Sequence, residues 1–200
     1  MKKEDLLMVF VKNPEKGKVK TRLAKSIGDL KALLVYKKLL NYTVQVASGV
    51  PVSKQVWYSS FIDYKDSIDQ IVFEKRLQEG DDLGARMKKA FARAFDEGFD
   101  RVLIIGSDCP GLTEEMILNA FNVLDNQQVV IGPSEDGGYY LLGMRKFIPD
   151  LFSDVNWSTE TVYDETVETV KNMGLSYSTL PVLNDIDTEA DLRDSGFADV

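Results

Sequence analysis

Residues 102–113 read Val-Leu-Ile-Ile-Gly-Ser-Asp-Cys-Pro-Gly-Leu-Thr, and this stretch decides the fold. Four apolar, mostly β-branched residues predict a short buried strand, which Gly106-Ser107 breaks. Asp108 is left at the strand's carboxyl end, ahead of a Pro-Gly turn and a Thr-Glu-Glu helix start. Ligands of open α/β sheets bind at that edge, and an acid there can hold a divalent cation against phosphate oxygens. The competing reading is that Asp108 only closes the turn through its own backbone hydrogen bonds.

Working outward, strand and helix patterns alternate. Leu6 to Val11 predict a first strand, and Lys12 to Gly28 a polar, basic loop. A long helix runs from Asp29 to about Ser48, followed by a strand over Gln55 to Ser59 and a short one over Ile71 to Phe73. Asp82 caps a helix from Leu83 to Glu97 that Gly98 ends, and Arg101 to Gly106 are the strand of the opening motif. Thr113 caps a helix to about Leu124. Strands follow over Val129 to Gly132 and Tyr139 to Met144, then a helix from Thr159 to Gly174 and a last strand over Leu175 to Leu180. Thr188-Glu189-Ala190-Asp191 fits a capping box for a short final helix. The alternation predicts one α/β domain over residues 1–200, with a mostly parallel sheet covered on both faces.

Composition narrows the chemistry. The 200 residues contain no histidine and one cysteine, Cys109. A Ser-His-Asp triad, a Cys-His pair and a histidine or cysteine-cluster metal site are therefore excluded. Any metal must rest on oxygens, which favours magnesium, manganese or calcium, and any general base must be Asp, Glu, Lys or Tyr. Without histidine to activate it, Cys109 reads as a packing residue. The net charge is −8, yet residues 1–25 hold eight Lys or Arg against three acids. An acidic body with one basic segment is a poor nucleic-acid binder and suits a small polyanion. A six-residue apolar run after a charged start is too short for a signal peptide, and no run approaches a membrane span, so a cytoplasmic protein is expected.

Four segments can carry chemistry. The first, Phe10 to Leu23, follows the first strand. Its Lys12, Lys16, Lys18, Lys20 and Arg22 can neutralise a diphosphate or triphosphate, and Gly17 lets backbone approach a ligand. It matches neither the P-loop nor the dinucleotide-binding glycine pattern, and a plain solvated basic loop is the bland reading. The second is the Asp108 motif, with Ser107 beside it. The third, Gly132 to Tyr140, holds Asp136, Gly137, Gly138 and Tyr139. It is either a hairpin turn or a loop that brings amides, an acid and stacking tyrosines to a substrate. The fourth, Asn184-Asp185-Ile186-Asp187-Thr188, offers Asp187 as a second metal ligand. Asp185 or Asp187 can equally serve the helix dipole alone. Trp157-Ser158-Thr159-Glu160 offers a wall for an acceptor or a core tryptophan beside a cap.

Six motifs stand in order: Phe-x-Lys-x-Pro-x-x-Gly-x-x-Lys-Thr-Arg-Leu, Leu-Gly-x-Arg-Met (Leu83 to Met87), Gly-Ser-Asp-Cys-Pro, Gly-Pro-x-x-Asp-Gly-Gly-Tyr-Tyr-Leu, Trp-Ser-Thr-Glu and Asp-x-Asp-Thr-x-x-Asp-Leu. Together they resemble the small bacterial GT-A-like transferases, the rSAM/selenodomain-associated transferases of the nucleotide-diphospho-sugar transferase superfamily. The resemblance implies a Rossmann-like three-layer sandwich of GT-A type. It implies a nucleotide held by Lys12, Gly17, Lys20, Arg22 and Ser107, and Mg2+ or Mn2+ on Asp108 and Asp187. Gly137, Gly138, Tyr139 and Trp157 would face sugar or acceptor, with Asp136, Lys20 and Arg22 as the catalytic residues. Many glycosyltransferases carry Asp-x-Asp, whereas Asp108 is followed by Cys109-Pro110, a form closer to guanylyl- and cytidylyltransferases. The leading expectation is a metal-dependent glycosyltransferase-like enzyme with a nucleotide-sugar donor. Its rivals are a nucleotidyltransferase moving NMP from an NTP to a phosphorylated acceptor, and a non-catalytic nucleotide-binding sensor.

Overall fold

In the run Asp5–Val11, Leu6, Met8 and Phe10 alternate with Leu7, Val9 and Val11, and all six are buried. A strand apolar on both faces belongs in the middle of a covered parallel sheet. The computed structural model describes residues 4–197, and there this run, β1, lies between two parallel neighbours. The remaining strands are β2 (Ser53–Tyr58), β3 (Glu74–Leu77), β4 (Arg101–Ile105), β5 (Val129–Pro133), β6 (Tyr139–Met144) and β7 (Tyr177–Thr179). They form one seven-stranded sheet in the order β3-β2-β1-β4-β6-β5-β7. β6 runs antiparallel to β4 and β5, and the other pairs are parallel.

The helices are α1 (Thr21–Ile27), α2 (Asp29–Gly49), α3 (Leu83–Asp96), α4 (Glu114–Val123), α5 (Val162–Asn172) and α6 (Glu189–Asp194). α2 and α4 cover one face, where Tyr36, Leu40, Ile117 and Phe121 meet Leu7, Val9 and Leu103. α3 and α5 cover the other, where Met87, Phe91 and Val170 meet Leu6, Met8 and Ile104. The result is a three-layer α/β sandwich with the expected Rossmann-like architecture. A third cluster, including Leu23, Val35, Ile186 and Leu192, binds α1 and α6 to α2. That cluster brings residues 23–27 and residues 186–197 together against α2.

Three caps stand where the sequence placed them. Asp82 accepts from Ala85 N–H at 2.7 Å, Thr113 from Met116 N–H at 3.2 Å, and Thr188 with Asp191 forms a complete capping box. Elsewhere the structure corrects the expectation. The basic loop does not extend to Gly28, because Thr21–Ile27 is helical: Leu23 is fully buried and docks against Ile186 and Leu192. The third strand lies at Glu74–Leu77 rather than Ile71 to Phe73, since Ile71 is 95% exposed and only the later residues pair with β2. The fifth helix starts at Val162, not Thr159, because residues 159–161 belong to a turn in which the Thr159 hydroxyl donates back to Asn156 O at 2.7 Å. A 3-10 turn at Pro149–Phe152, which carries no helical periodicity, packs under α3.

Candidate active site

Strands β1, β2, β3, β4, β5 and β7 all end at one edge of the sheet, and β6 begins there. β1 leads away to β2 on one side while β4 lies on its other side, so the crevice between their ends is the sheet's switch point. Tyr36 of α2 fastens that crevice. Its hydroxyl accepts from Lys12 N–H at 2.8 Å, donates to Lys12 O at 2.9 Å and meets Ser107 Oγ at 3.1 Å. Burial pushes the Tyr36 phenol up to about 12, so it stays a neutral hydrogen-bonding post. Asn13 joins the next loop: its Nδ2 donates to Phe61 O and its Oδ1 accepts from Ser60 N–H.

Lys20 stands at the centre. It is the N-cap of α1, its backbone is left-handed at φ 47° and ψ 47°, and its side chain is 4% exposed. Its Nζ donates to Asp108 Oδ2 and to Asp187 Oδ1, each at 2.8 Å. Burial alone would push this ammonium's pKa down, but the charges and hydrogen bonds of Asp108 and Asp187 outweigh it and hold it above the usual lysine range. Arg22 Nη1 lies 3.6 Å from Asp187 Oδ2 and is otherwise open to solvent. Asp187 is set by the α6 cap, its own N–H donating to Asp191 Oδ2 at 3.0 Å. Asp108 is reached from the same segment, since Ile186 N–H donates to Asp108 O at 3.3 Å.

Asp185 completes the cluster. One carboxylate oxygen from each of Asp108, Asp185 and Asp187 lies within 4.8 Å of the others. Burial pushes the Asp185 carboxyl up to about 7, and the charges of Asp108, Asp136 and Asp187 add to it against Lys20. Lys20 engages one oxygen of Asp108 and one of Asp187, which leaves a second oxygen on each. An all-oxygen set of three carboxylates fits a hard divalent cation. Sequence weighed Asp185 against Asp187 as alternatives; the fold brings both in, because they flank the buried Ile186.

A cavity of about 680 Å³ opens on one side of Asp108. Asp136, Gly138, Tyr139, Trp157 and Glu160 line it, with Arg22 as the cationic member of the wall. Asp136 Oδ1 accepts from Gly138 N–H at 2.9 Å and from the Ser134 hydroxyl. The Gly137 amide donates to Ser134 O, so both glycine amides are used inside their own turn rather than aimed at the cavity. Gly137 is required there for another reason: φ is 85°, and an added Cβ would lie 1.9 Å from the Glu160 carbonyl oxygen. The Tyr139 hydroxyl turns inward to Met87 Sδ at 3.9 Å. Trp157 stacks on Phe152 and lies against Gly84 at the start of α3, where a Cβ would come within 2.0 Å of the indole nitrogen. It is thus both a wall of the cavity and part of the core.

A second cavity, about 630 Å³, spreads over the ends of β1 to β4, and a smaller one of about 240 Å³ joins it to Lys20 and Arg22. Lys12 and Asp108 line both. Ser107 lines the larger of the two, together with Gln78 and Arg86, which sequence reading left without a role. The Leu83 to Met87 motif was the available signal for Arg86. Gly17 takes no part in these walls; its open face looks toward Asp29 of α2.

The family model for DUF2064, described as an uncharacterized protein conserved in bacteria, matches residues 43–159. No curated protein matches the chain. Among solved structures, a "putative nucleotide-diphospho-sugar transferase" from Desulfovibrio desulfuricans G20 is 38% identical with a TM-score of 0.86, over 93% of this chain and 83% of that one. The 4-diphosphocytidyl-2C-methyl-D-erythritol synthase of Anaerococcus prevotii DSM 20548 is 13% identical with a TM-score of 0.60, over 98% and 96% of the two chains. Rv0371c of Mycobacterium tuberculosis H37Rv, in complex with manganese, is 12% identical with a TM-score of 0.55, over 98% of each chain. The last two likenesses concern the fold. No helix among the described residues is long and apolar enough to cross a membrane.

Proposed function

The chain belongs to the DUF2064 family, and from that premise we propose that it is a metal-dependent transferase that moves a sugar from a nucleotide-sugar donor to an acceptor hydroxyl. One observation carries the reading: the Asp108–Lys20–Asp187 centre lies where a cavity over the parallel strand ends meets a separate, acid-lined cavity. The nucleoside occupies the first cavity, the diphosphate lies beside Lys20 and Arg22, and sugar and acceptor occupy the second. The likeness to a nucleotide-diphospho-sugar transferase at 38% identity supports this class. The manganese held by a protein of the same fold supports an ion at Asp108, Asp185 and Asp187.

When bound, a divalent cation supplies positive charge against the departing diphosphate. Lys20 bridges two of the carboxylates and lends its own charge against the diphosphate oxygens, with exposed Arg22 as a second cation. Asp136 has one oxygen fixed by its turn, and its other oxygen makes no hydrogen bond among the described residues. That oxygen takes the acceptor's proton as the new carbon–oxygen bond forms and the bond from sugar carbon to phosphate oxygen breaks. The wall favours an uncharged acceptor. Beyond the three acids that would hold the ion, Asp136 and Glu160 also face the cavity, with Arg22 as the cation of its wall, and a phosphorylated acceptor beside those two acids would meet like charge.

The test is incubation with Mg2+ or Mn2+ and separate panels of nucleotide sugars and nucleoside triphosphates, following thermal stabilisation and the released product. Stabilisation by a nucleotide sugar with release of nucleoside diphosphate is expected. Pyrophosphate release from a triphosphate with a phosphorylated acceptor would establish nucleotidyl transfer instead. Binding without turnover of any donor would identify a sensor.

A further inference from the structure

Of Leu83 to Met87, Leu83 stands between the two large cavities and Gly84 seats Trp157, which leaves Arg86. Its neighbour Gln78 is buried, and Gln78 Nε2 donates to Val11 O at 3.2 Å and to Trp57 O at 2.7 Å. With both amide hydrogens taken, Oε1 is fixed as an acceptor, and Arg86 Nη1 lies 3.5 Å from it. Arg86 Nε donates to Gly80 O at 3.0 Å. The guanidinium is therefore held in place by two neutral oxygens. Its Nη2 has no hydrogen bond and the group has no ion pair among the described residues, although it is half-buried in the cavity wall. A fixed, half-buried fork of donors with no carboxylate is built to meet acceptors on a ligand.

Position says which part of the ligand. The Gln78 amide bridges the ends of β1 and β2, and Asp108 follows β4 on the far side of β1. At about 4.8 Å per strand, that sets the Gln78–Arg86 end about one to two strands, roughly 5–10 Å, across the sheet from the phosphate centre. Resting on the nucleotide reading above, we propose that Arg86 reads the nucleobase. Its two outward N–H groups require two adjacent acceptors on the base edge, as on guanine (O6 and N7) or cytosine (O2 and N3). Adenine sets an amino donor beside its ring acceptors, and uracil sets an N–H between its carbonyls. Each would press a donor against the fork and leave buried groups unpaired.

Calorimetric titration of the full chain with Mn2+ and GDP, CDP, ADP, UDP and inorganic pyrophosphate tests this, on wild type, Arg86→Ala and Arg86→Lys, with melting curves to confirm folding. Wild type is expected to bind GDP or CDP about tenfold to a hundredfold tighter than ADP and UDP. Arg86→Ala should erase that preference and leave pyrophosphate unchanged. Arg86→Lys should lose it too, since an ammonium cannot fork, and it keeps the test alive if the alanine variant does not fold. The stronger of GDP and CDP identifies the base. Uniform weakening of all four nucleotides and pyrophosphate would make Arg86 a phosphate ligand and overturn the proposal, as would a wild-type preference for ADP or UDP, or an unchanged preference in the variants. Wild type that binds no nucleotide would instead overturn the nucleotide reading, and this inference with it.

Discussion

Lys20 combines two unfavourable features. A non-glycine residue in the left-handed region costs about 1–2 kcal/mol, and burying an ammonium costs more unless carboxylates meet it. Such strain persists where the surroundings fix it and clusters at functional sites. Replacing Lys20 with Met leaves Asp108 and Asp187 facing each other without their shared cation. A loss of roughly 2–3 kcal/mol is expected in EDTA, below the 3–5 of a fully enclosed pair because both carboxylates remain about a third exposed. Mn2+ should restore part of the melting temperature; a variant as stable as wild type in EDTA would show that the ammonium contributes nothing. Asp108→Asn should fold and lose on the order of 100- to 1,000-fold in kcat, measured as diphosphate release. Sequence could not single out Lys20. Lys12, Lys16, Lys18, Lys20 and Arg22 look alike as cations in one segment, and only the docking of α1 decides which one turns inward.

Among elements, the first turn of α3 controls the partition between the cavities. Gly84→Ala puts a methyl where the Trp157 indole lies, so the ring must leave Phe152 or α3 must move. Overpacking of this kind costs typically about 1–3 kcal/mol. Tryptophan emission should shift to the red as well, since Trp57 stays buried and Trp157 is the ring displaced. Thr188→Ala removes the α6 N-cap, for about 1 kcal/mol, and should weaken Mn2+ binding because Asp191 also orients Asp187. Calorimetric titration with Mn2+ checks this. The strands with continuous apolar runs and the capped helices were legible from the chain, because burial on both faces and an N-cap are local signals. α1 was not: seven residues are too few for periodicity, and its helix forms by packing Leu23 on Ile186 and Leu192. Asp108 and Asp187 were legible as candidates through their places at strand exits. The meeting of Asp185 with them, and of Gln78 with Arg86, depends on sheet order that no local pattern encodes.

For the whole molecule, the buried hydroxyl and thiol at the sheet edge set an alkaline limit. Burial pushes both Cys109 and Tyr36 up to about 12, from ordinary values of 9.0 and 10.0. A group whose folded pKa is raised stabilises fully below its unfolded value, and that stability is lost as pH climbs to the folded one. Urea midpoints should hold up to about pH 9 and fall between about 9 and 12, and Cys109→Ala should flatten the fall at its lower end. A midpoint that is flat across that range would contradict the buried environment of both groups. Lys20 and Asp187 are 167 positions apart in the chain, the widest separation bridged by a hydrogen bond among the described residues. Synthesis runs from the amino terminus, so the strap carrying Lys20 emerges long before the acid that anchors it. Until then Asp108 is the one carboxylate of the pair that can meet the ammonium, and the cradle for the cation is complete only once residue 187 has been made.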